Sequence, residues 1–411
     1  MQSSDQRWIV AQEGSRQSYA VPIAFSRLGH LRTFYVDVWC RWGRNLLRHG
    51  PAGARALATH YSPEIPSERV VSFNRWAVVD RVQSHLSRRR LSTVQQGEQY
   101  CRFGKCFASA VRDRLAVLEL DPARDRFFGF NTNCLEALEH LRERGILTVV
   151  DQVDPAKVEE DMVAEESERW PGWDRTPGRM PQSYWDRLKA EWKTADLVLV
   201  NSAWSAKALV SQGLAEAKII VVPLAIDLAH HHVQEPIASE GRLQVLWLGN
   251  IILRKGIQYL VEAARRLVDL PIDFRLAGPL GISDAAVRKF PPNLKLLGRL
   301  TRDQLTHAYR QAHVFVLPTI SDGFAITQLE AMAHGLPVVT TPNCGEVVTD
   351  GVDGFIVPAR DSGALADAFA RLNDNRQLLR AMSANALAKI LKYDLPSNAR
   401  LIEGFTRERS L

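Results

Sequence analysis

The sequence lacks any long apolar run, and it has few cysteines. No window of the 411-residue chain approaches ~18 consecutive apolar residues, the length that a membrane-spanning helix needs. The stretch Met1–Arg7 has no apolar segment of the signal-peptide kind, so we expect the mature chain to begin at Met1. The five cysteines are odd in number and show no metal-ligand spacing. This pattern indicates reduced thiols, no disulfide bonds and a cytoplasmic location.

The chain also lacks an extreme charge. It has 52 basic and 46 acidic residues, a formal net charge of +6 and a pI of about 9.1. This modest excess favours phosphorylated ligands or an anionic membrane surface. No zinc-finger, RRM or helix-turn-helix signature is present, so we expect no nucleic-acid partner. A content of 46% hydrophobic and 24% charged residues is typical of a globular chain, and the length allows two domains.

The first half of the chain alternates short apolar strands with helices. Because such alternation is typical of a parallel sheet, we predict an α/β domain. The predicted strands are Trp8–Ala11, Leu115–Leu120, Leu147–Val150, Ala195–Ser202 and Lys218–Pro223, and the predicted helices include Tyr19–Leu28 and Leu135–Leu141. Asp151 and Gln152 follow the third of these strands, at the sheet edge where open α/β sheets bind ligands.

Residues Leu31–Tyr61 interleave aromatic and basic side chains. The spacing of Trp39, Arg41, Trp42 and Arg48 predicts an amphipathic surface helix. Such a helix could touch lipid. The alternative, a helix that packs its tryptophans on the core and exposes its arginines to solvent, stays open.

The periodic pattern breaks between two halves of the chain. Residues 223–242 contain His230–His232, Pro236 and Gly241 and show no clear period, which is typical of an interdomain linker. Adjacent histidine side chains point apart, so we expect no metal site in this triplet. We therefore predict a first domain at 1–222, a linker at 223–242 and a second domain that starts at 243.

One stretch of the second domain carries the most information. The apolar run Val314–Leu317 is typical of a buried parallel strand, and apolar residues recur at helical spacing from Ile326 to Ala333. The turn Asp322–Gly323 separates the two, and Gly335 ends the helix. The sequence therefore predicts a strand, a loop and a helix.

Two carboxylates, Asp322 and Glu330, lie eight positions apart in this stretch. The predicted helix start offers backbone N–H groups from Gly323, Phe324 and Ala325 to a phosphate or a sugar hydroxyl. Carboxylates beside these groups accept hydrogen bonds from hydroxyls. The combination suits a nucleotide-sugar, which carries both phosphates and sugar hydroxyls. The alternative, a cap at Asp322 and a solvated Glu330, stays open.

The stretch 317–339 resembles the signature of the retaining glycosyltransferases of family 4, written P-S-x-x-E-G-F-G-x-x-x-L-E-A-M-A-x-G-x-P-V. The matching residues are Pro318, Thr319, Asp322, Gly323, Phe324, Ala325, Leu329, Glu330, Ala331, Met332, Ala333, Gly335, Pro337 and Val338. The chain departs from the signature at Asp322, where the family generally has Glu. The resemblance is strong from about Asp196 to Pro358.

This resemblance implies the GT-B fold, an α/β architecture in which two Rossmann-like domains face each other across a cleft. It implies an acceptor-side domain at 1–222, a nucleotide-sugar-binding domain at 243–386, and a last helix at 387–411 that returns to the first domain. It also implies transfer of a sugar from a nucleotide diphosphate to a hydroxyl acceptor, a glycan or a lipid-linked precursor, with retention of configuration. No D-x-D triplet occurs, which fits chemistry without a metal or another cofactor.

The resemblance also implies roles for individual residues. Lys255 would stabilise charge on the diphosphate, Asp322 would orient the donor sugar, and Glu330 would hold ribose hydroxyls. Further donor contacts are expected at Gly249, Asn250, Arg254, Gly323, Phe324, Ala325, Ile326, Arg299 and Leu300. Cleft-lining positions are expected at Gly14, Ser15, Asp151 and Gln152. Many relatives have a histidine near Asp151 and Gln152, and this chain has none in the segment Asp151–Pro155.

The segment around Lys255 resembles the family pattern G-R-L-x-x-x-K-G. Gly249, Lys255 and Gly256 match it, whereas Asn250 stands where an arginine is common. Arg254 adds a second positive charge, and we expect its side chain to point away from that of Lys255.

Three alternatives to a transferase stay open from the sequence. A protein with this fold can be an epimerase or phosphorylase, a nucleotide-sugar-binding protein without activity, or a membrane-bound scaffold. We expect the chain in the cytoplasm, either free or on the inner face of the membrane. No motif specifies the donor base, the donor sugar, the acceptor, the linkage or the oligomeric state.

Overall fold

The structure, a computed structural model, describes residues 6–50, 52–74, 91–175, 178–228 and 241–409. Within these residues, two parallel sheets organise the chain. The first sheet contains β1 (Arg7–Gln12), β2 (Leu31–Val36), β3 (Val70–Ser72), β4 (Asp125–Phe130), β5 (Leu147–Gln152), β6 (Leu197–Val200) and β7 (Ile219–Val221) in the order β3-β2-β1-β4-β5-β6-β7. The second contains β8 (Leu243–Leu248), β9 (Ile272–Ala277), β10 (Leu294–Gly298), β11 (Val314–Leu317), β12 (Val338–Thr340) and β13 (Gly354–Ile356) in the order β10-β9-β8-β11-β12-β13.

Helices flank both sheets, as parallel strands require. The helices up to β7 are α1 (Ala20–Arg27), α2 (Arg44–Arg48), α3 (Ala52–Ala58), α4 (Thr93–Ala116), α5 (Leu135–Glu143), α6 (Lys157–Arg169), α7 (Gln182–Thr194) and α8 (Ala203–Ser211). The later helices are α9 (Ile257–Arg266), α10 (Asp284–Val287), α11 (Arg302–Gln311), α12 (Thr327–Ala333), α13 (Ser362–Asp374), α14 (Arg376–Ile390) and α15 (Leu395–Glu408). The α/β fold class is therefore confirmed.

Local sequence sets several helix ends. The hydroxyl of Ser202 accepts a hydrogen bond from the N–H of Ser205 and caps the start of α8. Thr301 and Gln304 form a reciprocal capping box at the start of α11. Gly335, with φ of +72°, stops α12 in the left-handed conformation that glycine adopts readily. These ends fix where the loops at the sheet edges begin.

The last helix, α15, packs on the first sheet's side of the molecule. It lies against α1, and Leu395, Ala399 and Ile402 join the core that forms beneath that sheet. The N–H of Ile226 also donates to the carbonyl of Tyr393, which ties the segment after β7 to the residues before α15. The residues that follow the second sheet therefore return to the first domain.

The predicted strand at Leu115–Leu120 is wrong. Leu115 and Ala116 are the last residues of the long helix α4, in which Phe107, Val111 and Leu115 recur every four residues and bury one helix face. Residues 117–120 follow the helix and form no strand. The strand is instead β4, whose six residues are all buried, including Asp125 and Arg126. These two charged residues form the start of the strand, so the sequence pattern does not mark where the strand begins.

The predicted amphipathic helix over Leu31–Tyr61 is also wrong. Residues Leu31–Val36 form strand β2 between β1 and β3. Only the short helices α2 and α3 follow it. The aromatic and branched residues at the start of the stretch favour a strand, whereas the arginines come after it.

Helix α6 precedes β6 in the sequence, within the first domain, but it packs on the second domain. Glu166 in α6 is fully buried. Its carboxylate accepts hydrogen bonds from Gln258 at 2.8 Å and Tyr259 at 2.9 Å, and it pairs with Arg360 at 2.6 Å. Trp173, after α6, belongs to the core of the second domain. The segment 157–175 therefore links the domains.

The triplet His230–His232 lies outside the described residues, as does most of the predicted linker. In the part of the chain that is described, none of the helices has the length and apolar character needed to cross a membrane.

Candidate functional site

The predicted strand, loop and helix are present as β11, the loop 318–326 and α12. The helix begins at Thr327, later than the sequence suggests, so Gly323, Phe324 and Ala325 lie in the loop. Among the described residues, no acceptor pairs with the N–H groups of these three residues. The loop therefore presents three backbone donors, although they do not belong to the helix itself.

Gly256 brings the basic turn Leu253–Lys255 against the end of β11. Its φ is +70°, and an added Cβ would lie 1.7 Å from the carbonyl oxygen of Pro318. Only glycine allows this approach. The carbonyl of Arg254 then accepts hydrogen bonds from the N–H of Ile320 at 2.8 Å and from the hydroxyl of Thr319 at 3.1 Å.

Asp322 is held by two cations. The ammonium of Lys255 pairs directly with one carboxylate oxygen, and the guanidinium of Arg254 lies 3.6 Å from the other. Burial alone would raise the pKa of Asp322, but Lys255 and Arg254 outweigh it and hold the pKa below its ordinary value. The expectation that Arg254 points away from Lys255 is wrong, because the 3₁₀ turn directs both side chains to one carboxylate.

Glu159 of α6 completes this cluster from the first half of the chain. Its carboxylate lies 3.2 Å from the guanidinium of Arg254 and accepts a hydrogen bond from the hydroxyl of Ser321 at 3.1 Å. Burial, opposed by Arg254, raises the pKa of Glu159 to about 7. Two cations therefore share two acids, one of which changes its charge near neutral pH.

The carboxyl ends of the two sheets meet beside this cluster. Gly323 packs so closely on the first domain that an added Cβ would lie 2.1 Å from the carbonyl oxygen of Val153, just after β5. The indole N–H of Trp204 donates to the hydroxyl of Ser321 at 3.2 Å. Glu346 accepts from the backbone N–H groups of Ala203 and Trp204 at the start of α8. The loop 318–326 thus lies at an interdomain contact.

Glu330 lies on α12, apart from the Lys255 cluster. Its carboxylate accepts a hydrogen bond from the hydroxyl of Tyr309 at 2.9 Å, and the Tyr309 ring stacks on His334 at 4.6 Å. Burial raises the pKa of Glu330. In the described part of the chain, no hydrogen bond or ion pair joins Glu330 to Lys255 or Asp322. The two acids of the signature therefore occupy different surroundings.

The other predicted donor-contact residues differ in exposure. Phe324 is buried with its ring against Gly345, where an added Cβ would lie 2.3 Å from that ring, so its side chain serves the core. Ala325 has φ of +61°, an uncommon conformation for a residue with a Cβ. Ile326 and Gly249 are partly exposed, and Asn250 after β8 is exposed.

Arg299 and Leu300 follow β10 at the edge of the second sheet. Arg299 is exposed, and Leu300 lines a groove of about 440 Å³ with residues of α11, including Gln304 and His307. Within the described part of the chain, no hydrogen bond or ion pair joins these two residues to the Lys255 cluster. A role in binding a nucleotide base stays a prediction.

The predicted acceptor-side residues lie at the carboxyl edge of the first sheet. Gly14 donates its N–H to Asp37 at 2.8 Å, and Ser15 is partly exposed. Asp151 is 2% exposed, and one of its carboxylate oxygens has no hydrogen-bond partner among the described residues. Burial, opposed by Arg16, raises the pKa of Asp151 to about 7.

Gln152 does not line the cleft. Its amide oxygen accepts from the indole of Trp192 at 3.0 Å, and its amide nitrogen donates to Asp154 at 2.9 Å. Because successive side chains of a strand alternate between faces, Gln152 points under α7 while Asp151 points to the opposite face.

Sequence patterns did not identify Glu159, Trp204 or Glu346. Each reaches the site across the domain contact, with a partner more than ninety residues away. The acidic run at the start of α6 is visible in the sequence, but it is typical of any helix N-terminus. Only the docking of α6 on the second domain distinguishes Glu159 from its acidic neighbours.

Residues 242–375 match the family model of the glycosyl transferases group 1. The chain is 32% identical over 206 residues to the D-inositol 3-phosphate glycosyltransferase of Mycolicibacterium smegmatis, covering 44% of this chain and 46% of that protein. It is 43% identical over 99 residues to the lipopolysaccharide core biosynthesis mannosyltransferase LpsB of Rhizobium meliloti, covering 23% of this chain and 28% of LpsB. The alignments thus span less than half of either relative.

Solved structures match the whole chain at low sequence identity. Sucrose-phosphate synthase of Thermosynechococcus elongatus covers 98% of both chains with a TM-score of 0.64 and 17% identity. HepE of Anabaena in complex with UDP covers 98% of this chain and 100% of HepE with a TM-score of 0.62 and 14% identity. Residues 242–375 are therefore similar to the glycosyl transferases group 1, and the chain has the GT-B fold.

Proposed function

We propose that this chain is a retaining glycosyltransferase that moves a sugar from a nucleotide-diphosphate-sugar to a hydroxyl acceptor. The observation that carries the proposal is the cluster in which Lys255 and Arg254 converge on Asp322. The three N–H groups of the loop 318–326 that have no acceptor among the described residues lie directly after this aspartate. The family relatives and the UDP complex of HepE support the same class of donor.

The charges of the cluster suit a diphosphate. Lys255, Arg254 and the loop N–H groups are donors, and donors of this kind bind phosphate oxygens well. Asp322 can accept hydrogen bonds from sugar hydroxyls on its remaining lone pairs. Its ion pairs hold the two cations in place before a ligand arrives, which reduces the entropy lost on binding.

The proposed reaction exchanges one bond of the anomeric carbon for another. The bond to the diphosphate oxygen breaks, and a bond to the acceptor oxygen forms on the same face of the sugar. The acceptor proton passes to the leaving diphosphate, so the step needs no protein base. Lys255 and Arg254 stabilise the charge that develops on the diphosphate, an effect that is worth about 3 kcal/mol in comparable sites.

Glu330 is proposed to bind the ribose of the donor. Burial raises its pKa, and the Tyr309 hydroxyl holds one of its oxygens, which leaves the other to accept from a hydroxyl. Asp151 is proposed to line the sugar or acceptor side of the cleft. Independence from metal ions and a cytoplasmic location are parts of the same proposal, and assays in EDTA and cell fractionation test them.

A transfer assay with the full chain tests the proposal. The chain is incubated with UDP, GDP, ADP and dTDP sugars, with and without an acceptor pool of simple glycosides and lipid extract. A transferase releases nucleoside diphosphate only with an acceptor, and NMR of the product then shows whether configuration is retained. Conversion of the sugar with donor alone indicates an epimerase, and a need for inorganic phosphate indicates a phosphorylase. Donor binding without any turnover contradicts the proposal and indicates a binding protein.

A further inference from the structure

The segment Arg41–His49 exposes large apolar side chains beside arginines. Trp42 is 79% exposed and Leu46 is 80% exposed. Arg41 lies over the Trp42 ring at 5.0 Å, and Arg48 is also exposed. Exposed apolar area of this kind, bordered by charged residues, is typical of a surface that binds a protein or a membrane.

The charge around this segment has one sign. The sequence contains no Asp or Glu between Asp37 and Glu64, and it contains Arg41, Arg44, Arg48 and Arg55 there. Arg44 already has partners within the protein, because its guanidinium lies over the Tyr61 ring at 4.3 Å and donates to the carbonyl of Ala58. The other three arginines are exposed. A partner of negative charge fits this surface.

The segment is continuous with the candidate acceptor side of the cleft. It follows β2, which runs parallel to β1, so both strands end at the same sheet edge. Asp37, the residue after β2, accepts the N–H of Gly14 at 2.8 Å. A partner bound to Arg41–His49 would therefore lie near the edge that faces the second domain.

We propose that the segment Arg41–His49 docks the protein on an anionic membrane. The exposed arginines contact lipid phosphates, and Trp42 and Leu46 enter the interfacial layer, where an indole and an aliphatic side chain both leave water. An acidic glycan would satisfy the arginines but would leave Leu46 exposed. The pairing of apolar and basic side chains therefore favours a lipid surface, which would present a lipid-linked acceptor at the cleft.

Vesicle sedimentation of the full chain without any donor tests this surface. We expect binding to phosphatidylcholine vesicles that contain phosphatidylglycerol and weak binding to phosphatidylcholine alone. Arg41→Gln with Arg48→Gln should weaken binding about 30-fold, since each arginine near an anionic surface is worth about fivefold. Trp42→Ala with Leu46→Ala should weaken it at least about tenfold. These side chains are exposed, so their removal leaves the core intact, and thermal unfolding confirms that each variant is folded.

Matched variants elsewhere control for charge and apolar area. Arg288→Gln with Arg310→Gln removes two exposed arginines from the second domain, and Val117→Ala with Leu391→Ala trims exposed apolar residues. Both should bind vesicles as the original chain does. Equal loss in controls and test variants, or binding to soluble dextran sulfate with none to vesicles, overturns the proposal. Because no donor is present, this result is independent of the transfer assay.

Discussion

At the scale of single residues, Asp151 is a carboxyl group whose surroundings oppose its charge. It is buried, one oxygen has no partner among the described residues, and only Arg16 favours ionisation. A group of this kind is costly to the fold unless a ligand uses it. Because the pKa of Asp151 is raised to about 7, its carboxyl stays protonated in the folded chain up to neutral pH. The cost can therefore be measured as a change of stability with pH.

Asp151→Asn should change how stability depends on pH. The folded pKa of about 7 exceeds the unfolded value of about 3.9. The folded chain therefore binds more protons between these values, and its free energy of unfolding falls as pH rises through that window. The variant does not lose stability in this way. At pH values above 7 its free energy of unfolding should therefore exceed that of the original chain by up to about 4 kcal/mol, and near pH 4 the two values should differ little.

Urea unfolding of both proteins across this pH range measures the difference. The control is Asp113→Asn, which changes an exposed aspartate on α4 and should leave the pH profile unchanged. A constant difference between Asp151→Asn and the original chain at every pH would mean that Asp151 is not buried as a carboxyl.

At the scale of elements, the loop 318–326 and the strand β5 approach each other through Gly323. An added Cβ would lie 2.1 Å from the carbonyl oxygen of Val153, a distance that no atom pair tolerates, so the contact must open. Gly323→Ala should therefore lower kcat/KM for transfer by about 100-fold, because displacement of about 1 Å in a site has effects of that size.

Steady-state kinetics measures this effect, and Gly404→Ala in α15 is the control, since an added Cβ there meets no atom within 4 Å. The control should keep its kcat/KM. If Gly323→Ala transferred sugar as fast as the original chain, the interdomain contact would not be part of the site.

Helix α6 contacts the second domain through the fully buried acid Glu166, among other residues. Glu166→Ala should lower the free energy of unfolding by about 3–5 kcal/mol, because it removes the buried partner of Arg360 and the carboxylate to which Gln258 and Tyr259 donate. Glu165→Ala offers a matched control, since Glu165 also pairs with Arg360 but is 56% exposed and should cost under about 1 kcal/mol. Equal losses in chemical denaturation would show that α6 is not held by Glu166.

At the scale of the whole molecule, the sequence predicts most accurately the features formed by residues that are close together in the chain. The strand, loop and helix around Asp322 are local, so their spacing is sufficient, and the two parallel sheets follow from alternation. The strand predicted at Leu115–Leu120 is wrong because Leu115 lies on the buried face of α4, and Leu118 and Leu120 pack against the same core after the helix ends. The prediction that Gln152 lines the cleft is wrong because adjacent strand residues point to opposite faces, and the sequence does not show which face lies toward the cleft.

The arrangement between domains is not visible in any sequence window. Glu159 meets Arg254, and Glu166 meets Tyr259, at separations of more than ninety residues. Helix α6 shows only weak periodicity, because both of its sides contact protein. From its position in the sequence, α6 would be assigned to the first domain alone, but several of its partners lie in the second domain. Contacts of this kind require the folded structure.

The most direct test of the account is calorimetric titration of UDP, GDP, ADP and dTDP sugars into the original chain and into Lys255→Ala, Glu330→Ala and the surface control Lys392→Ala. We expect at least one donor to bind to the original chain, both site variants to bind that donor at least about tenfold more weakly, and the control to bind it as the original chain does. Equal affinity in all four proteins, or no binding of any donor, would contradict the claim that this cleft holds an activated sugar.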